Sequence, residues 1–91
     1  MLRVGAVRWL EARFHPQTRS DPDCVVVARV RCRERSASIE PLDPDAATVS
    51  SRLDRVALLA KLHFLVEASL PRPFERLREL RSAYWSFTEL P

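Results

Sequence analysis

Glycine is almost missing from this chain: Gly5 is the only one in 91 residues. Phosphate cradles, nucleophile elbows and dinucleotide-binding turns all need glycine where the backbone bends sharply or approaches a ligand. None of those motifs is present, and no cofactor or small-molecule ligand is expected. Cysteine is nearly as sparse, with only Cys24 and Cys32. Eight residues of one strand at ~3.3 Å each would hold them ~26 Å apart, against the ~5.5 Å between bridged Cα atoms. A disulfide scaffold is thereby excluded, and reduced thiols suit a cytosol. Both are expected on the core face of a strand, where thiols behave as small hydrophobes.

Histidine occurs only as His15 and His63, and no CxxC or HxxxH spacing exists. No metal centre is expected. His63 and Glu67 stand four apart on one side of a helix, the spacing of an acid–base pair or half a metal site. The simpler reading is a histidine satisfied by a neighbouring carboxylate, and the chain is read as non-catalytic.

Lysine is reduced to Lys61, beside fourteen arginines. Guanidinium forks bind phosphate bidentately, but arginine-rich composition also follows from a GC-rich genome. Twelve acidic residues offset the charge to +3, which favours the second explanation. The first residues, MLRVGAVRWLEARF, contain no apolar run of seven, so no signal peptide is expected. The longest apolar stretch, residues 49–70, contains Arg52, Asp54, Arg55, Lys61, His63 and Glu67. Those charges argue against a membrane span, and a cytoplasmic protein is expected.

What is present suffices for one small domain. Hydrophobic residues make up 46% and charged residues 30%, well away from disordered compositions, and so short a chain rarely splits its core. Alternation predicts a strand over about 3–14, with Leu10, Ala12 and Phe14 on one face. A second strand is predicted over 24–33, with Cys24, Val26, Ala28, Val30 and Cys32 inward and Val25, Val27, Arg29, Arg31 and Arg33 outward. Antiparallel pairing would set Phe14 against Cys24, Ala12 against Val26, Leu10 against Ala28 and Trp9 against Arg29. A tight turn over 33–36 would return a third strand, 36–41, placing Cys32 against Ala37 and Val30 against Ile39. Turn-favouring Gly, Asn and Pro are absent from it.

Asp43–Pro44 and Ser50 are competing helix starts. The main helix, about 49–70, ends before Pro71 and Pro73. It carries three apolar sectors: Leu53, Val56, Ala60 and Phe64; Leu59, Leu62, Val66 and Leu70; and a narrower Leu58 and Leu65. A second helix is predicted over about 73–87, with Phe74, Leu77, Leu80, Tyr84 and Phe87 on its packed side. The expected fold is therefore α+β: a two- or three-stranded antiparallel meander covered on one face by a long helix and a shorter C-terminal one.

Two surfaces stand out. If one sector of the long helix meets the sheet and another the second helix, Leu58 and Leu65 are left over. With Trp85, off the packed side of the second helix, they form the candidate surface for a protein partner or for self-association. The alternative is nucleic-acid binding along an outer sheet face bearing Trp9, Arg13, Arg29, Arg31 and Arg33, with Arg35 beyond them. Against it, Trp9 is the only aromatic there for stacking bases.

Overall fold

The computed structural model describes residues 6–17, 24–42 and 55–91. The expected helix starts at Asp43–Pro44 and Ser50, the first residues of the long helix and Leu53 lie outside these. The architecture is α+β, with strands β1 (Arg8–Phe14), β2 (Val25–Cys32) and β3 (Ala37–Pro41), helices α1 (Arg55–Ser69) and α2 (Pro73–Arg78), and strand β4 (Trp85–Glu89). All four strands join one antiparallel sheet in the order β3-β2-β1-β4.

The turn between β2 and β3 forms without glycine. The Arg33 N–H donates to the Ser36 carbonyl at 2.8 Å, and Cys32 faces Ala37 while Val30 faces Ile39, as a tight turn requires.

The β1–β2 register differs from the expected one by two residues. Leu10 faces Val30, Glu11 faces Arg29 and Ala12 faces Ala28. This pairing sets opposite charges directly across from each other, where cross-strand side chains interact most closely. Beyond it a bulge intervenes: Arg13 pairs with Val26 and Phe14 with Val25. Between Ala12 and Arg13, β1 advances one residue and β2 two, which leaves Val27 as the extra residue. The bulge reverses the alternation, so Val25 and Val27 enter the core while Cys24 and Val26 are only half-buried. Unbroken alternation would leave Val25 and Val27 in water, and each buried valine contributes ~1.5 kcal/mol or more.

The C-terminal segment is the larger correction. α2 stops at Arg78, and residues expected to continue it form β4, which pairs with β1: Phe14 with Trp85, Ala12 with Phe87, Leu10 with Glu89. Ser82 Oγ accepts the N–H groups of Tyr84 and Trp85, both at 3.1 Å. That local side-chain bonding competes with helix. Trp85, Ser86, Phe87 and Thr88 then alternate aromatic with hydroxyl, and the type suits a strand.

α1 lies over β2 and β3 and beside α2, which reaches β4. Leu58, Leu62, Val66 and Ser69 are buried, with Leu59 and Leu65 packed against the core. At 100° per residue these positions span one arc of roughly 120°. The two leucine-bearing sectors are therefore one face, and that face is directed at the sheet.

Candidate interaction surfaces

The leucine-rich arc buries more apolar area than Val56, Ala60 and Phe64 could, so it takes the core and leaves the other sector outside. Val56 is 77% exposed and Phe64 72%. Ala57, Ala60 and Ala68 are exposed with them, and Lys61, His63 and Glu67 flank the stripe. The candidate surface on α1 thus lies on the side of the helix opposite to Leu58 and Leu65.

This corrects the sequence-based assignment. Leu58 is 6% exposed and Trp85 5%, both within the hydrophobic core. Leu65 is half-buried and lines a hollow of about 330 Å³ between the end of α1 and the α2 region, with Leu77 and Leu80. Trp85 is internal because strand alternation points it at Phe14, edge to face at 5.4 Å, and it stacks on Phe87 at 6.3 Å. Of the C-terminal aromatics, Tyr84 is the exposed one, stacked at 6.2 Å on Phe14.

The arginine face keeps Arg29 and Arg33 exposed among the described residues, but its charge is interrupted. Arg29 is exposed with Glu11 across on β1 and Glu40 across on β3. Arg13 is tied to Glu11, Nε to Oε1 at 2.6 Å, and that bond, only partly opposed by burial, raises the guanidinium pKa further. Trp9 is half-buried opposite Arg31 rather than Arg29. Arg33 and Arg35 are exposed at the β2–β3 turn. The regular track of positive charge is therefore broken at its middle by two carboxylates.

His63 and Glu67 are both exposed on the outer side of α1, with no hydrogen bond between them. Among the described residues, no three His, Cys, Asp or Glu side chains group as metal ligands. Cys32 is buried, and its thiol is pushed up to about 11 by desolvation and then by Glu75, with Arg8 opposing. Cys24, displaced outward by the bulge, sits half-buried near Arg13 on the open face. One polar pair escaped the sequence reading altogether: buried His15 bonds Ser86 through Nε2 and Oγ at 2.8 Å. The two are 71 residues apart, and only the β1–β4 pairing joins them.

Comparison with known proteins adds no identity. No family model, no curated protein and no solved structure matches this chain. None of the helices among the described residues is long and apolar enough to cross a membrane.

Proposed function

We propose that this is a small, non-catalytic, cytoplasmic interaction protein, an adaptor or assembly subunit that docks a protein partner on the outer face of α1. The carrying observation is the exposure of Phe64 and Val56 on a helix whose opposite face already fills the core. Isolated surface apolar residues need no explanation, but an aromatic and a β-branched residue aligned with three alanines on one helix face form a continuous stripe. A groove-binding or helical segment of a partner fits such a stripe, with Phe64 as the anchor. From Val56 to Ala68 the stripe is roughly 18 Å long. Alone it falls short of the ~800 Å² per partner typical of stable interfaces. That favours a partner that also reaches adjoining surface over a dimer held by this stripe only.

The test is affinity isolation from the native host with the wild-type chain and with Phe64→Asp, alongside light-scattering mass measurement of both. A specific protein retained by the wild type and lost with Phe64→Asp supports the reading. A wild-type dimer that Phe64→Asp dissociates would assign the face to a second copy. Binding and mass both indifferent to Phe64 would refute it. The nucleic-acid alternative has weaker support, since Glu11 and Glu40 flank Arg29. It requires salt-sensitive RNA or DNA binding that Arg29→Ala, Arg31→Ala and Arg33→Ala each weaken.

A further inference from the structure

The end of the β2–β3 hairpin sorts its charges onto two sides. On one, a hollow of about 280 Å³ is lined by Arg31, Arg33, Ser36, Ala37 and Ser38. Two guanidinium groups and two hydroxyl-bearing residues border it, and no carboxylate does. Glu34 and Arg35 line a different hollow, with Arg72 and Glu75, where opposite charges balance. Arg31 and Ser38 are cross-strand neighbours, and the bond from the Arg33 N–H to the Ser36 carbonyl holds the turn closed. Neither Arg31 nor Arg33 enters the ion pairs formed among the described residues.

Arg31 supplies an independent observation. Its Nε is buried and has no hydrogen-bond partner. A buried charged donor without an acceptor is costly, and native structures leave few of them. The Arg31 side chain is only partly buried, and an oxyanion that draws it outward into the hollow would give this donor its acceptor.

We propose that this hollow binds a terminal phosphate group, held by the guanidinium forks of Arg31 and Arg33 and by the hydroxyls of Ser36 and Ser38. A phosphate dianion balances the two arginines, and its oxygens accept charge-assisted bonds in the geometry a guanidinium offers. The site ends abruptly: the next arginine along β2, Arg29, lies between Glu11 and Glu40, which repel a continuing phosphate chain. The geometry thus suits a phosphate with one attachment or none, meaning a phosphomonoester or the free ion, over a polynucleotide backbone.

Nuclear magnetic resonance titration of the full chain tests this. The probes are inorganic phosphate, glycerol phosphate and an unphosphorylated single-stranded oligonucleotide, each against sodium chloride at equal ionic strength. Saturable shifts are expected at the Arg31 Nε–H and at the Arg33, Ser36 and Ser38 amides. Arg31→Gln or Arg33→Gln should weaken binding about tenfold, and Arg29→Gln less than about twofold. Amide dispersion reports that each variant is folded. Equal affinity for the two phosphates assigns the free ion, and tighter glycerol phosphate assigns a monoester. Shifts no larger than those with chloride, or an oligonucleotide that binds more tightly than either phosphate and depends on Arg29, would overturn the proposal.

Discussion

The Arg8 guanidinium lies 3.7 Å from the centroid of the Phe74 ring while its Nη2 donates to Glu89 Oε2 at 2.9 Å. Arg78 approaches the same carboxylate at 3.6 Å and the same ring at 5.5 Å. This cluster joins β1, α2 and β4, three elements distant in sequence. The ion pairs are half-exposed and contribute little on their own. The contact of Arg8 with the Phe74 ring contributes more. Arg8→Ala should destabilise by about 1 kcal/mol, with most of the loss persisting at 1 M salt in urea unfolding. Complete rescue by salt would show the contribution to be ionic.

The two faces of α1 should separate in mutagenesis. Leu62 is fully buried, so Leu62→Ala should cost about 2–5 kcal/mol. Phe64 is largely exposed, and Phe64→Ser should change stability by no more than about 0.5 kcal/mol. Urea midpoints compare the two directly, and similar losses would place Phe64 in a packed environment.

Trp85 distinguishes a strand from a continued helix. Trp85→Ala should cost about 3–5 kcal/mol, and its indole should emit at short wavelength when Trp9 is replaced by Phe. An exposed, long-wavelength emission would remove Trp85 from the core.

The two thiols should differ. Cys24, half-buried on the open face, should react with a thiol reagent in the native state, while buried Cys32 should wait for opening. The Cys32 pKa is raised from its ordinary 9.0 to about 11, so above pH 9 the unfolded chain releases the proton first. The stabilisation from the neutral buried thiol is complete below pH 9 and is lost as pH rises toward 11, by at most about 2–3 kcal/mol. Cys32→Ala should flatten that part of the stability profile, and an unchanged slope would assign it to other groups.

Much of the fold was legible because local chemistry agreed with it. Alternation at Leu10 and Ala12, the arginines of β2 on the face opposite Ala28, Val30 and Cys32, and the return of Ile39 against Val30 all follow from period-two patterning. The bulge at Val27 was not legible. A run of three valines reads equally well with either phase, and only the competition for core space selects one. β4 was misread because Tyr84 and Phe87 continue the helical spacing of Leu77 and Leu80, while Trp85 and Phe87 fit an alternating one. The free edge of β1, together with the Ser82 turn, decides between them.

The partner surface shows the same division. Residue order sets angular position on a helix, so the excess of apolar residues on α1 over what one neighbour can cover is written in the chain. Which side turns inward depends on the neighbours that α1 meets once the chain is folded. The sheet and α2 buried the denser leucine arc, since burial free energy grows with apolar area, and Phe64 was left facing water.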